Sequence, residues 1–89
     1  MARPLNKIAA AILTDWKLIS VDPARVPSYI TFGLPYVRAM LELRSVDDMY
    51  GLDDGKDIVL RFLVNVASWR GASARAFKAE LNAHLKEKA

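Results

Sequence analysis

The sequence predicts an all-α fold, a compact bundle of four main helices around a central, buried third helix. Apolar residues recur at helical spacing in four stretches of the chain, whereas glycine and proline concentrate between those stretches. A chain of 89 residues, of which 53% are hydrophobic and 26% charged, can form one core but not two. We therefore expect residues 1–89 to form a single helical domain.

Helix 1 is predicted over about residues 4–17. Leu5, Ile8 and Ile12 fall on one face at helical spacing. Pro4 suits the first turn of a helix, because that turn does not use the N–H group that proline lacks. We expect the apolar face to pack against the core along the whole helix.

The segment that follows, at about residues 18–33, is predicted to be irregular. Pro23, Pro27 and Gly33 disfavour a continuous helix there. The segment is nonetheless rich in large apolar side chains, which are Val21, Val26, Tyr29, Ile30 and Phe32. We expect it to be ordered and to pack on the core or on a partner, with one helical turn or a short extended piece at residues 29–32.

Helix 2 is predicted over about residues 34–44, because Pro35 suits a helix start and the apolar positions after it recur at helical spacing. Ser45 followed by Asp48 resembles a capping box. This pattern predicts one short helical turn that Gly51 closes.

Helix 3 is predicted over about residues 55–69, with Asp54 as its N-cap. Most of its side chains are apolar, so it should be the central and most buried helix. Gly71 fits a left-handed C-cap of this helix, and Ser73 fits the N-cap of helix 4, at about 73–87.

No catalytic, metal-binding or cofactor site is predicted. The chain has no cysteine, and His84 is its only histidine, with no base or orienting group identifiable beside it. We interpret His84 as a structural residue and the protein as not an enzyme. The aspartates between the helices do not have the spacing of a calcium loop and are interpreted as helix caps and solvated charges: Asp47, Asp48, Asp53, Asp54 and Asp57.

The candidate binding residues lie on predicted helix 4. At about 100° per residue, one flank of this helix carries Arg75, Lys78, Asn82 and Lys86. The chain has a net charge of +3, with an acidic loop at 45–57 between two basic regions. This flank could meet nucleic-acid phosphates and base edges, or the acidic loop of the same or another chain, or only solvent.

Helices 3 and 4 also fit part of a helix-turn-helix pattern. With Gly71 as the turn glycine, Val66 and Ala67 precede it and Phe77 follows at an expected apolar position. The next expected apolar position is Glu80, so the match breaks there unless a turn one residue longer brings Leu81 to that position. Such partial agreement is common in α-hairpins. A DNA-binding regulator that uses this hairpin is therefore the alternative function.

The C-terminal half resembles small uncharacterised proteins of phage type. The residues that carry the resemblance are Tyr50-Gly51-Leu52-Asp53, Ile58-Val59, Phe62-Leu63, Asn65, Trp69-Arg70-Gly71 and Lys78-Ala79-Glu80-Leu81. The resemblance implies a regulator or accessory protein that acts by binding, and it assigns no functional residue.

The leading prediction is a non-catalytic accessory module that acts through protein–protein interaction, with self-association as one form of it. We expect an unknown protein partner or a homo-oligomer, and no small-molecule substrate. No stretch approaches the roughly 20 apolar residues that span a bilayer, so no membrane partner is expected. A cytoplasmic location is the default for a chain without cysteine or a convincing signal segment.

Overall fold

Four α-helices form most of the chain, as the sequence predicts. A computed structural model describes residues 3–17 and 27–87. The strands in this part are a two-stranded antiparallel hairpin with two residues in each strand. In chain order the elements are α1 (Leu5–Lys17), α2 (Ser28–Met40), β1 (Met49–Tyr50), β2 (Asp53–Asp54), α3 (Gly55–Asn65) and α4 (Ala72–Glu87).

Helix α1 forms where helix 1 is predicted. Leu5, Ile8 and Ile12 are completely buried, which confirms the predicted apolar face. The helix begins beside the chain that follows α2, because the backbone N–H of Leu5 donates to the carbonyl of Arg44 over 2.9 Å. That bond satisfies one of the amides that a helix start leaves without an intrahelical partner.

Helix α2 corrects two predictions. The helix begins at Ser28 and ends at Met40, so residues 28–33 are helical and not irregular, and the predicted helix at 34–44 starts and ends too late. Pro27 has φ −58° and stands just ahead of the helix, where its missing N–H is not needed. The remainder of the predicted irregular segment, residues 18–26, lies outside the described residues.

Gly33 and Pro35 both lie inside α2, for different reasons. A Cβ atom at Gly33 would stand 2.7 Å from Cγ1 of Val66 and 3.2 Å from rings of Phe62 and Trp16, so only glycine fits this close approach of helices. Pro35 is exposed. It removes one hydrogen bond from the ladder, but it does so on the solvent side, where the freed carbonyl of Thr31 can be hydrated.

Residues 41–54 also depart from the prediction of a short helical turn. At 45–48 one i→i−3 bond forms, from the backbone N–H of Asp48 to the carbonyl of Ser45 over 3.2 Å, and no helix follows. The side chain of Asp48 accepts the N–H of Ser45 over 3.3 Å, as a capping box predicts, and that of Arg44 over 2.7 Å. Gly51 does not end a helical turn. It has φ +63° at the tip of the hairpin, in the left-handed region that two-residue β-turns require.

Helix α3 starts at the predicted residue but ends at Asn65 and not at 69. Beyond it the backbone turns through i→i−3 bonds, among them the N–H of Trp69 to the carbonyl of Val66 over 2.9 Å. Gly71 has φ +111° and belongs to the start of α4, since its carbonyl accepts the N–H of Arg75. Ser73 is therefore inside α4 and does not cap it.

The core is built from all four helices and centres on Trp69, which is 3% exposed. Its ring stacks between those of Tyr29 and Phe77, at centroid distances of 5.9 and 5.8 Å. Trp16 meets it edge-on at 5.3 Å. Because Tyr29, Phe77 and Trp16 belong to α2, α4 and α1, this indole joins the loop after α3 to the other three helices. The completely buried side chains of the core include Leu5, Ile8, Ile12, Val37, Met40, Leu43, Val59, Phe62, Val66 and Leu81.

Candidate binding surfaces

One flank of α4 carries the residues that the sequence singles out, and we call Arg75, Lys78, Asn82 and Lys86 the basic flank. Because all of them belong to the continuous helix Ala72–Glu87, their spacing does place them on the same side. Arg75 and Lys86 are exposed. The side-chain amide of Asn82 donates to the carbonyl of Lys78, one turn earlier, over 2.9 Å.

Lys78 has a structural partner that the sequence does not reveal. Its ammonium group donates to the carbonyl oxygen of Trp69 over 2.6 Å, which ties α4 to the loop that precedes it. Burial lowers the pKa of Lys78 below its ordinary value, and the neighbouring charge of Arg70 lowers it further. Arg70 therefore extends the basic flank beyond the start of α4.

The positive charges around Lys78 are not neutralised within the described part of the chain. The ion pair found there joins Arg3 to Glu80, over 2.7 Å, on a different side of α4 from the basic flank. No acidic residue occupies the first turn of α4. A cluster of cations without a carboxylate partner favours an anionic ligand more than a scattered set of surface charges would.

The connection between α3 and α4 differs from a helix-turn-helix. Residues 66–71 separate the two helices, whereas that motif uses a turn of about three or four residues. Phe77, which the pattern places as a core residue of the second helix, is half-buried and stacks on Trp69. The loop is thus built around the indole, and Gly71 is not the glycine of a short turn.

Aspartate side chains and loop carbonyls cover the N-terminus of α3. Asp54 accepts the backbone N–H of Asp57 over 2.8 Å, which confirms the predicted N-cap. The N–H of Gly55 donates to the carbonyl of Asp48 over 2.7 Å, and the N–H of Lys56 to that of Val46 over 3.1 Å. Among the residues that the structure describes, no three acidic or histidine side chains are grouped as a metal site would need.

His84 is held as a structural residue would be. It is 7% exposed, and its Nε2 lies 2.5 Å from the backbone carbonyl oxygen of Arg3. The guanidinium group of Arg3 donates to both carboxylate oxygens of Glu80, from Nη2 over 2.7 Å and from Nε over 3.0 Å. Glu80 and His84, one turn apart on α4, therefore both bind Arg3, which lies just ahead of α1.

The solvent side of α3 exposes apolar side chains that the sequence interpretation buries. Val64 is 76% exposed and Leu60, one turn earlier, is 41% exposed. Both charged neighbours on this side, Asp57 and Arg61, are also exposed. We call Asp57, Leu60, Arg61 and Val64 the α3 outer face.

The hairpin just before α3 adds further exposed apolar groups. Leu52 stands at its tip and is 99% exposed, and Met49 and Tyr50 of β1 are also exposed. Single exposed apolar residues are common, but consecutive ones on a hairpin beside an apolar helix face are typical of a contact surface.

The basic flank could be found from sequence, but the α3 outer face could have been found only by a stricter use of the same periodicity. Leu60 and Val64 fall between Lys56 on one side and Asp57 and Arg61 on the other, at about 100° per residue. That bracket of charges marks a solvent side. The signal is easily missed, because the many apolar residues of the helix suggest that it is buried on every side. The hairpin has no comparable signal apart from Gly51.

Comparison of the chain with protein-family models, with curated proteins and with solved structures gave no match. The resemblance of the C-terminal half to phage-type proteins therefore stays a prediction. No helix in the described ranges is both long and apolar enough to cross a membrane.

Proposed function

We propose that this protein acts without catalysis, as an accessory module that binds another protein chain, and that a second copy of itself is a partner it accepts. The observation that carries the proposal is the α3 outer face, where Leu60 and Val64 are exposed one turn apart on a helix whose opposite side forms the core. Burying such a pair in an interface gains the transfer free energy that folding leaves unused. The reducing cytoplasm, which suits a chain without cysteine, is the proposed location.

Light scattering after size-exclusion chromatography tests this proposal directly. The mass of the wild-type protein should rise toward that of a dimer as its concentration increases from micromolar to millimolar. Val64→Asp should remain a monomer, because it places a charge within the apolar contact. Phe32→Asp is the matched control, since Phe32 on α2 is also a largely exposed apolar residue, at 60% against 76% for Val64, and its change should leave association intact. A wild-type protein that remains monomeric throughout contradicts the proposal.

Nucleic-acid binding is the second candidate function, and the cluster of Arg70 with Lys78 and Arg75 favours it. These residues present positive charge without a described acidic partner, and a guanidinium group matches phosphate geometry well. The long 66–71 connection argues for contact along the flank of α4 and against insertion of a helix-turn-helix.

Fluorescence anisotropy with a labelled DNA duplex at several salt concentrations tests this second candidate. The best double variant is Arg75→Gln with Lys86→Gln, because both side chains are exposed and neither carries a structural bond, unlike Lys78. Each phosphate contact removed should make the slope of log affinity against log salt shallower by about 0.9. Arg38→Gln with Arg44→Gln removes the same charge elsewhere and should change the slope little. Equal loss in both double variants would indicate attraction by net charge only.

A further inference from the structure

The charges on the α3 outer face match those of a second copy when two α3 helices lie antiparallel. Asp57 and Arg61 are four residues apart on the same flank of the helix. In an isologous pair related by a twofold axis, antiparallel helices bring like flanks together while reversing their direction. With the axis close to residue 59, Asp57 of one copy is level with Arg61 of the other, and the reverse pair forms as well.

Both charges are available for such a contact. Asp57 and Arg61 are exposed, and neither takes part in an ion pair with any residue that the structure describes, although their spacing would allow them to pair with each other. The carboxylate of Asp57 is not used in capping, because the cap of α3 is the carboxylate of Asp54.

The apolar residues fit the same arrangement. Leu60 is one residue from the proposed axis, so the two copies of Leu60 would meet at the centre of the contact. Val64 would extend the apolar contact toward the first turn of the partner helix, where the aliphatic stem of Lys56 can cover it.

A parallel arrangement fits less well. Opposite flanks would then meet, which pairs Asp57 with Lys56 of the other copy and leaves both copies of Arg61 without a partner. The two helix dipoles would also lie side by side in the same direction, whereas antiparallel dipoles attract. An arginine fork also makes a stronger and more directional contact with a carboxylate than lysine does.

We propose that the protein forms a twofold symmetric dimer through antiparallel pairing of α3, with Leu60 at the axis and reciprocal contacts between Asp57 and Arg61. The inference rests on the proposed function, since it specifies how the second copy docks on the α3 outer face.

Disulfide crosslinking tests the geometry. The natural chain has no cysteine, so any disulfide must join the introduced residues, and replacing apolar residues leaves the charges unchanged. Leu60→Cys should form a crosslinked dimer on mild oxidation at low protein concentration. Val64→Cys should not, since about 15 Å along the helix axis would separate the two sulfur-bearing positions. Leu52→Cys, at the exposed hairpin tip, measures the background from random collisions and should also remain uncrosslinked.

Charge exchange provides the second test. Arg61→Asp alone should weaken the dimer by about tenfold or more in Kd, because two carboxylates then face each other. The double variant Asp57→Arg with Arg61→Asp should recover most of the lost affinity. In the wild-type chain, Lys56→Asp with Asp57→Lys should weaken the antiparallel dimer, because a cation at position 57 then faces Arg61 of the other copy, whereas the same exchange would preserve the charge pair of a parallel dimer. Thermal melts verify that each variant folds.

The outcomes separate this inference from the proposed function. Efficient crosslinking of both Leu60→Cys and Val64→Cys would indicate parallel helices and overturn the inference while self-association stands. A dimer that Val64→Asp abolishes, but that neither cysteine variant crosslinks above the Leu52→Cys background, would also overturn it. A monomeric wild type would overturn both.

Discussion

At the scale of single residues, glycine shows most clearly how packing can override local preference. Gly33 disfavours a helix by its backbone entropy, yet it lies in the middle of α2 because the side chains of Val66, Phe62 and Trp16 fill the space that a Cβ atom would need. Gly55 is constrained in the same way, since a Cβ atom there would stand 2.7 Å from the backbone carbonyl oxygen of Ser45.

Gly33→Ala should destabilise the fold, although alanine favours helix in isolation. Overpacking of this kind costs about 1–3 kcal/mol, which exceeds the gain of about 1 kcal/mol in helix propensity at the upper end of that range. Urea denaturation measures the change. The double variant with Val66→Ala removes the closest atom, so its loss of stability should be smaller than the sum of the two single losses. Additive losses of stability would show that the side chain of Val66 does not exclude a Cβ atom at position 33.

Lys78 should titrate abnormally because its ammonium group is held beside Arg70 and partly out of water. Its pKa is lowered, first by burial and then by Arg70. Between this lowered pKa and the ordinary value of 10.5, the folded protein binds fewer protons at Lys78 than the unfolded chain does. Stability linked to Lys78 therefore rises with pH through that window and is lost as pH falls through the folded pKa.

NMR titration of the lysine side chains checks this prediction. The midpoint for Lys78 should lie below 10.5, and Arg70→Gln should move it only part of the way back, since burial is the larger cause. A bound polyanion should raise it. An unchanged midpoint in Arg70→Gln would place Arg70 away from Lys78.

Tyr29 has the opposite effect on stability at high pH. Burial raises the pKa of Tyr29, so its ionisation above pH 10.0 opposes folding.

At the scale of the elements, the N-terminus of α3 shows that one of the predicted capping aspartates has a specific partner. The side chain of Asp54 accepts the N–H of Asp57, whereas the side chain of the neighbouring Asp53 is exposed and accepts no hydrogen bond from the described residues. The two residues are therefore a matched pair for separating capping from simple acidity.

Asp54→Ala should cost about 0.5–2 kcal/mol of folding free energy, because the N–H of Asp57 then loses its protein partner. Asp53→Ala removes the same charge from the same end of the helix and should cost much less. Chemical denaturation of the two variants at one salt concentration gives the comparison. Equal losses would mean that the negative charge, and not the hydrogen bond, supports α3.

At the scale of the whole molecule, α4 holds the chain ahead of α1 at two points one turn apart. Glu80 pairs with the guanidinium group of Arg3, which raises the pKa of Arg3, and His84 bonds to the carbonyl of the same residue. The ion pair is partly exposed, with side-chain exposures of 47% and 32%, whereas His84 is buried. These contacts join parts of the chain that are far apart in sequence.

His84→Ala should therefore destabilise the protein more than Glu80→Gln does. A partly exposed ion pair contributes about 0.2–1 kcal/mol and is weakened by salt. Loss of the imidazole removes a buried hydrogen bond and leaves a cavity, at a cost of about 1–3 kcal/mol. Thermal melts at low and high salt test the order, and only the effect of Glu80→Gln should shrink with salt. A larger loss in Glu80→Gln would mean that the ion pair, and not the hydrogen bond of His84, contributes more to holding the chain ahead of α1.

The sequence by itself determines α1, the N-cap at Asp54 and the start of α3, since each depends on residues within a few positions of one another. It also places the basic flank on one side of α4. It does not determine where α2 begins and ends, because Gly33 and Pro35 both disfavour a helix locally. Gly33 is nevertheless helical because Val66, Phe62 and Trp16 pack into the space that a side chain would need. Pro35 is tolerated because its side of the helix meets solvent. The end of α3 at Asn65 and the bond from Lys78 to the carbonyl of Trp69 also depend on how the loop after α3 packs. Local periodicity determines which residues share a face, and the packing of the helices decides how deeply each face is buried.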